Sequence, residues 1–251
     1  MVYGAWVRAG TMRIAILAAL PGELKPLVRG WQRIASPTPG ISIWVSAADD
    51  QADEYIAVCG GMGTAAALRS FAAAEHIGTL DMVLSIGWAG ALDDDVSPGQ
   101  CYVATEVIDA LTGERFQLTD GDRTLRLVTT PQVADEAEKQ RLHASYGAVL
   151  VDMEAAAVCR LAHIRGISVC CFKAVSDARD AQLPDLNPFI DVRGQLRMLP
   201  FLAYVALRPQ YWASLLQLGR NSSVAAKALA VSIRSFLQHK QVDRTNRTGA
   251  A

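Results

Sequence analysis

The stretch EYIAVCGGMGTAAALRSFAAAEHIG, residues Glu54–Gly78, carries the pattern on which the fold prediction depends. It begins with an apolar run of strand length, passes through a glycine-rich turn and ends in an alanine-rich helix, for which Gly78 is the expected C-cap. A continuous apolar run is typical of a strand that is buried on both faces. The stretch therefore predicts a strand, turn and helix unit of an α/β protein.

The same plan recurs on both sides of this stretch. RIAILAAL (Arg13–Leu20) precedes it, while DMVLSIGWAGAL (Asp81–Leu92) and GISVCCFKAVSD (Gly166–Asp177) follow it, and each reads as a buried strand. VDMEAAAVCRLAHIRG (Val151–Gly166) adds one more strand end and helix. This alternation predicts a three-layer αβα sandwich with a mostly parallel, partly mixed central sheet.

Composition sets limits on the class of protein. The chain has 251 residues, of which 51% are hydrophobic and 20% charged, enough for one large core or for one domain with an appendage. The five cysteines lack C-x-x-C spacing and the four histidines lack metal-ligand spacing, so we expect reduced cysteines and no metal. No signal peptide is evident, and we expect a cytoplasmic protein.

Charge is distributed unevenly along the chain. The net charge of −1 argues against a nucleic-acid partner, but the segment from Arg193 onward contains nine Lys and Arg residues and a single acidic residue. We therefore predict a catalytic domain at 12–192 and a basic, apolar helical extension at 193–241. Residues 1–11 and 242–251 are predicted to be disordered.

The extension contains an apolar run of ten residues, Met198–Leu207. A helix needs about 20 apolar residues to cross a bilayer, so this run is too short to do so. Its helical spacing, with arginines and Trp212 interspersed, fits an amphipathic helix. Such a helix lies at a lipid interface or packs on the body or on another subunit, and the sequence leaves these alternatives open.

Acidic residues directly follow several of the apolar strands. Glu23, Asp177 and the pair Asp152 and Glu154 all take such positions. The carboxyl ends of parallel strands meet at one crevice, where burial raises the pKa of a carboxylate and suits it to deliver a proton. Each acid taken singly could instead cap a helix, but all of them at one rim favour a site.

Several blocks carry a family resemblance. AALPGEL, CGGMGTAAAL, SIGWAGAL, VSPGQCYVATEVID, VDMEAAAV and KAVSDARD resemble, in order and spacing, the conserved blocks of the nucleoside phosphorylase and nucleosidase superfamily over about residues 12–180. The segment that follows is similar to the tail of hopanoid-associated phosphorylases, which act on adenosylhopane in bacterial hopanoid biosynthesis.

The resemblance implies a role for each acid. Asp177 would protonate N7 of adenine, with Ser176 holding its carboxylate. Glu154 would accept hydrogen bonds from the ribose hydroxyls, and Met153 would pack against the sugar. Glu23 matches the position that holds the attacking water in nucleosidases.

The resemblance also implies the surroundings of these acids. Met62 and the backbone of Ala89 and Gly90 would line the pocket. Asp152 would lie just behind it, and Val133 would contact the base.

The chain departs from the family pattern at the third glycine turn and at the phosphate loop. Trp88 replaces a serine of nucleosidases, and it either enlarges an apolar wall or is a core aromatic. Lys173 replaces an arginine, and Ser85 stands where phosphorylases carry an arginine. Lys25, Lys173 and Arg179 are the candidate phosphate ligands, and the nucleophile, water or phosphate, stays open.

The expected activity is cleavage of adenosylhopane to adenine and a ribosyl or phosphoribosyl hopane, without a cofactor other than phosphate as a possible co-substrate. One alternative is a soluble methylthioadenosine/S-adenosylhomocysteine nucleosidase, and another is an inactive nucleoside-binding module. We expect a homo-oligomer, with the basic extension at the inner membrane or against protein.

Overall fold

The architecture is a single mixed sheet with helices on both faces. A computed structural model describes residues 11–46, 53–118 and 125–248, with side chains to residue 241. Its strands are β1 (Arg13–Ala18), β2 (Gln32–Ile34), β3 (Ser42–Val45), β4 (Glu54–Cys59), β5 (Met82–Ala91), β6 (Cys101–Ala104), β7 (Glu106–Asp109), β8 (Arg115–Gln117), β9 (Arg126–Thr129), β10 (Leu150–Asp152) and β11 (Ser168–Asp177). Its α-helices are α1 (Pro21–Leu24), α2 (Thr64–Ile77), α3 (Glu136–Tyr146), α4 (Ala155–Arg165), α5 (Met198–Ala206) and α6 (Trp212–Thr248).

The ten-residue strand β5 organises the sheet. Its first half pairs in parallel with β1 on one side and with β11 on the other, and its end pairs antiparallel with β10. The sheet continues from β1 through β4, β3 and β2, from β10 through β9, β7 and β8, and from β11 to β6. An α/β fold with a mixed sheet is thus confirmed. Parallel pairs surround β5, although antiparallel pairs are as numerous over the described strands.

Alternation along the central strands explains the three layers. Ile14 and Ile16 of β1 share a core with Leu229 of α6, whereas the intervening Ala15 shares a second core with Phe71 of α2. Successive side chains of a strand point to opposite faces, so a strand with both faces apolar is covered by helices on both sides. The predicted αβα sandwich follows from this pattern.

Helix α6 forms part of this sandwich. Among its buried side chains, those that pack on the face of the sheet that β1, β5 and β11 share are Ala225, Leu229, Ala230, Ile233 and Leu237. For this part of the tail, the alternative of packing on the body is the one the structure shows. The helix also runs to Thr248, past residue 242, where disorder was predicted; residues 1–10 and 249–251 lie outside the described residues.

Some short elements escaped the sequence patterns. β2 and β3 form an antiparallel pair at the sheet edge, and β8 pairs antiparallel with β7. Strands of three or four residues are too short to show an alternation. Within the described residues, no helix has the length and apolar content needed to span a membrane.

Candidate active site

The acidic residues meet around the end of β5. Gly90 pairs with Val151 of β10 on one side and with Asp177 of β11 on the other. The segment carrying Asp152 and Glu154 therefore lies across one strand from Asp177. The sequence-predicted rim is thus a real grouping in space.

Asp177 is held through both of its carboxylate oxygens. The Ser176 hydroxyl donates to Oδ1 at 2.6 Å, which is the contact that the resemblance implied. The Lys139 ammonium donates to Oδ2 at 2.5 Å and also to the Ala178 carbonyl oxygen at 2.8 Å. The Asp177 side chain is 13% exposed. One partner comes from its own strand and the other from α3.

Glu154 lies half-buried at the start of α4, and its side chain makes no capping hydrogen bond to that helix. Its Oε1 accepts a hydrogen bond from the Gly63 backbone N–H at 2.6 Å, which ties it to the glycine turn after β4. Burial and, next, the charge of Asp152 together raise the pKa of Glu154 to about 7, against the opposing charge of Lys173. A carboxyl with this pKa changes protonation near neutral pH.

Asp152 has structural contacts on both carboxylate oxygens. The Thr129 hydroxyl donates to Oδ1 at 2.6 Å, the Ala155 N–H donates to Oδ2 at 2.9 Å, and the Lys173 ammonium lies 2.8 Å from Oδ2. The Ala155 bond satisfies one of the free N–H groups at the start of α4, which is the capping alternative foreseen for this residue. Asp152 therefore supports the site from behind.

Lys173 is fully buried in β11. Burial lowers its pKa, but the charge of Asp152 outweighs that effect, and the pKa of Lys173 lies above its usual value. A buried cation needs such a partner, because transfer out of water costs several kcal/mol per ion. Lys173 therefore forms a structural ion pair.

Glu23 accepts three backbone hydrogen bonds, from the N–H groups of Ala19 at 2.9 Å, Leu20 at 2.7 Å and Trp88 at 2.8 Å. Burial raises its pKa, and the backbone donors and Lys173 oppose the rise. Gly87 makes room for it: a methyl group on Gly87 would lie 2.9 Å from Glu23 Oε1, and its φ is +149°. These contacts fix a carboxyl at the strand end without using a side-chain cation.

The remaining predicted pocket residues lie around these acids. Met153 approaches the glycine turn, 3.9 Å from where a methyl group on Gly63 would lie. Buried Ala89 accepts a bond from the Ser176 hydroxyl at 3.3 Å. Trp88 packs over Gly22 and against the core of α6, and its indole N–H is buried without a hydrogen-bond partner among the described residues.

We name residues 187–196 the strap, and this segment makes hydrogen bonds to residues on both sides of the site. At one end, the Asn187 side chain accepts from the Val133 N–H at 2.8 Å and donates to the Val133 carbonyl at 3.1 Å. At the other end, Met62 N–H donates to the Gly194 carbonyl at 2.8 Å, and Gln195 donates to the Gly60 carbonyl at 3.3 Å. The strap thus bonds to the backbone of Val133, a residue predicted to contact the base, and to that of Met62, a residue predicted to line the pocket.

The three cations predicted as phosphate ligands have different environments. Lys173 is buried against Asp152, Arg179 lies 3.5 Å from Asp94, and Lys25 is exposed just after α1. Because the Lys173 ammonium is engaged with Asp152 inside the core, Lys25 and Arg179 are the more accessible of the three candidates, and phosphate binding by these side chains stays a prediction.

A family model described as the phosphorylase superfamily matches residues 13–137 and 124–198. The chain belongs to the phosphorylase superfamily. It is therefore an enzyme of the nucleoside phosphorylase or nucleosidase type. Among curated proteins, no match is found.

Solved structures of superfamily enzymes share this fold. The 5′-methylthioadenosine/S-adenosylhomocysteine nucleosidase of Helicobacter pylori is 16% identical, with 92% of this chain and 99% of that chain covered and a TM-score of 0.68. The futalosine hydrolase of Helicobacter pylori is 16% identical, with coverages of 91% and 98% and a TM-score of 0.68. The S-adenosylhomocysteine nucleosidase of Streptococcus pyogenes, solved with 5-methylthiotubericidin, is 17% identical, with coverages of 93% and 99% and a TM-score of 0.68.

Sequence reasoning missed three contributors to the site of this superfamily member: Lys139, Thr129 and Asn187. Lys139 sits in a polar helical pattern, where a lysine normally reads as solvated. Thr129 ends an apolar strand, and Asn187 begins a short 3-10 helix. Of the three, only Thr129 could have been found from the sequence. It ends a strand, and the site was predicted at the carboxyl ends of the strands.

Proposed function

We propose that this phosphorylase superfamily enzyme breaks the N-glycosidic bond of an adenine nucleoside. The observation that carries the proposal is the pairing of Gly90 with Val151 and with Asp177, which puts Glu154 and Asp177 on opposite sides of one strand end. Cleavage builds positive charge on the sugar and negative charge on the base, so it needs groups on both sides of the bond. The structural relatives named for nucleosidase and hydrolase activity support this reaction class.

Each acid then has a chemical task. Asp177 donates a proton to N7 of adenine, so the base leaves neutral. Glu154 accepts hydrogen bonds from ribose hydroxyls and stabilises the developing positive charge on the ring. Glu23 orients the attacking water and accepts one of its protons while the water oxygen bonds to the anomeric carbon and the base departs, which yields ribose carrying the 5′ substituent.

Water is the nucleophile we favour over phosphate. Phosphate recognition uses arginine forks or arrays of N–H groups. Of the three cations the sequence offered, Lys173 is committed to Asp152 and Arg179 is half-exposed beside Asp94. The N–H groups near Glu23 point to its carboxylate, which would repel an anion.

The proposed substrate is a lipid-linked adenosine, adenosylhopane, for which the resemblance in the C-terminal segment is the primary support. A physical feature agrees with it. We define the outer helical segment as residues 197–220; its strongly exposed apolar side chains are Met198, Leu199, Leu202, Leu207, Trp212 and Leu216. It directly follows the strap.

Arginines accompany these apolar side chains. Arg197, Arg208 and Arg220 lie in the same segment. Each basic residue near an anionic leaflet contributes about 1 kcal/mol of attraction, and exposed apolar side chains add burial in the interface. We propose that the outer helical segment touches the membrane in which the substrate resides, and that the enzyme works as a homo-oligomer.

The competing substrate is methylthioadenosine or S-adenosylhomocysteine, the compounds named for the relatives in Helicobacter pylori and Streptococcus pyogenes. Adenine release from methylthioadenosine and from detergent-dispersed adenosyl lipid separates the two. We expect faster release from the lipid, unchanged when phosphate is removed. Fast adenine release from methylthioadenosine alone would exclude the lipid as substrate. A requirement for phosphate would exclude water as the nucleophile. Adenine binding without turnover would mean that the protein is an inactive nucleoside-binding module.

Membrane contact has its own experiment. Wild type is expected to sediment with phosphatidylglycerol vesicles but not with neutral phosphatidylcholine vesicles, and Leu199→Ser with Leu216→Ser should abolish sedimentation. Val231→Ser is the matched control, because Val231 is also exposed, at 66%, but lies on α6 outside the outer helical segment. Sedimentation that the double variant retains would contradict the assignment.

A further inference from the structure

Lys139 is the buried charged residue of an otherwise polar and largely exposed helix. Of the residues of α3, only Lys139 and Leu142 are buried, and the Lys139 side chain is 4% exposed. Its ammonium contacts two oxygens, Asp177 Oδ2 at 2.5 Å and the Ala178 carbonyl at 2.8 Å. A lysine on the surface of a helix would ordinarily extend into water, so its position calls for a reason.

Stability alone is a weak reason for this ion pair. Removing two charges from water costs several kcal/mol per ion, and apolar residues of similar volume often replace such pairs without loss of stability. The neighbouring surface fits the pair closely: a methyl group on Gly90 would lie 3.1 Å from Asp177 Oδ2 and 3.2 Å from Lys139 Cε. The Lys139 side chain therefore reaches Asp177 beside Gly90, at the strand end that lies between Asp177 and the segment of Glu154.

We propose that Lys139 is a positioning residue for the acid that protonates the base. This inference rests on the proposed function. With Ser176 on Oδ1 and Lys139 on Oδ2, the carboxyl plane of Asp177 is fixed at both oxygens, and each oxygen keeps a second lone-pair site for a proton or a substrate nitrogen. The geometry of proton transfer is thereby set before substrate binds.

Lys139 also acts after the proton has moved. The O–H bond of Asp177 breaks, the N7–H bond forms, and the electron pair of the N-glycosidic bond passes to the purine. Asp177 is then a carboxylate beside an ammonium that keeps all its own protons, so its new charge is compensated at contact distance. A new proton comes from solvent before the next turnover.

The test compares leaving groups. A purine needs a proton to depart, whereas 4-nitrophenolate leaves as an anion, so a residue that acts through the acid matters only for the purine. We would measure adenine release and 4-nitrophenol release from ribosides with the same 5′ group. Lys139→Met should lower kcat for adenine release about 10-fold to 100-fold, the size of effect that misplacing a reacting group produces. It should leave 4-nitrophenol release within about twofold, and Lys139→Arg should restore part of the loss.

Two controls complete the design. Arg141→Met removes an exposed cation from the same helix and should change neither rate, since Arg141 pairs only with Glu138 among the described residues. In an Asp177→Asn background, Lys139→Met should cause no further loss. Equal loss on both substrates, or an undiminished loss in that background, would overturn the inference. A wild type that releases 4-nitrophenol but no adenine would instead overturn the proposed function.

Discussion

Neighbouring carboxylates in one motif have separate tasks at the residue scale. Asp152 accepts from Thr129 and Ala155 and faces Lys173, so its contacts are those of a helix cap and an ion pair. Glu154, two residues later, has backbone donors only and a pKa raised by burial. The first stabilises the start of α4, and the second carries a cost that a purely structural residue would avoid.

The pKa of Glu154 makes a prediction about stability. It lies at about 7 in the folded chain against 4.5 in the unfolded chain, so the folded state holds a proton that the unfolded state has lost between these pH values. Glu154 therefore contributes no penalty below pH 4.5, a growing one as pH rises to 7 and the full one above it. That penalty is about 3 kcal/mol.

Glu154→Gln removes the penalty while keeping an oxygen for the Gly63 N–H. The variant should gain about 3 kcal/mol of unfolding free energy over wild type at pH 8 and show no comparable gain at pH 4.5, while losing activity. Urea unfolding at both pH values measures the difference. A gain in unfolding free energy of equal size at both pH values would mean that the charge of Glu154 is not the cause of the gain.

Sequence reasoning found the acids but not all their partners. Glu23, Glu154 and Asp177 were located because strand ends of an α/β sheet meet at one edge. Only the tertiary fold brings the partners close to these acids. Lys139 lies on a helix, 38 residues before Asp177, and Lys173 lies within an apolar run of the sequence. No periodicity in one segment reports which distant carboxylate will face it.

At the element scale, the strap connects the site to the outer helical segment. Asn187 bonds Val133, and Gly194 bonds Met62, while Arg69 donates to the Arg193 carbonyl at 2.6 Å. Substrate that uses the Val133 or Met62 backbone must displace these bonds. The strap is therefore the element whose movement would open the site.

Gly194→Ala tests this element. Gly194 has a φ of +76°, and a methyl group there would lie 2.0 Å from the Met62 carbonyl oxygen, a backbone atom. We expect the strap to detach, so that hydrogen exchange at the Met62 amide accelerates at least about 10-fold, the loss of one net hydrogen bond.

Gly113→Ala is the matched control for this change. Gly113 has nearly the same φ, +75°, but nothing lies within 4 Å of its added methyl group. It carries the conformational strain without the clash, and Met62 exchange should be unaffected. Equal protection of Met62 in wild type and Gly194→Ala would contradict the role of the strap.

The elements predicted from sequence share one property, length. β1, β5, β11 and α2 span enough residues for an apolar run or helical spacing to register, and they were found close to their observed bounds. β2, β3 and β8 are three or four residues long, and only pairing with a neighbour defines them. The same limit concealed the contact of Asn187, in which two hydrogen bonds join its side chain to the Val133 backbone.

At the scale of the whole molecule, the C-terminal part divides into two surfaces. The middle of α6 is buried and completes the sandwich, while the outer helical segment before it is exposed. Charge and composition could not separate these, since both parts are basic and apolar. Only the position of each helical turn relative to the sheet distinguishes the buried middle of α6 from the outer helical segment.

Ile233→Ala should reveal the buried part. Ile233 is 0% exposed in the core that β1, β5 and β11 share, so its truncation should lower the unfolding free energy by about 2–5 kcal/mol. Val231→Ala, at a 66% exposed position of the same helix, should change it by less than about 0.5 kcal/mol. Equal effects in denaturant unfolding would mean that α6 does not form a layer of this fold.

The central claim is that Asp177 protonates the leaving base opposite Glu154. The measurement that tests it most directly is adenine release by wild type and Asp177→Asn under saturating substrate, with thermal unfolding followed in parallel. We expect kcat of Asp177→Asn to fall by about 100-fold or more, the contribution typical of a general acid, while the variant remains folded. A folded Asp177→Asn protein that releases adenine at the wild-type rate would contradict it.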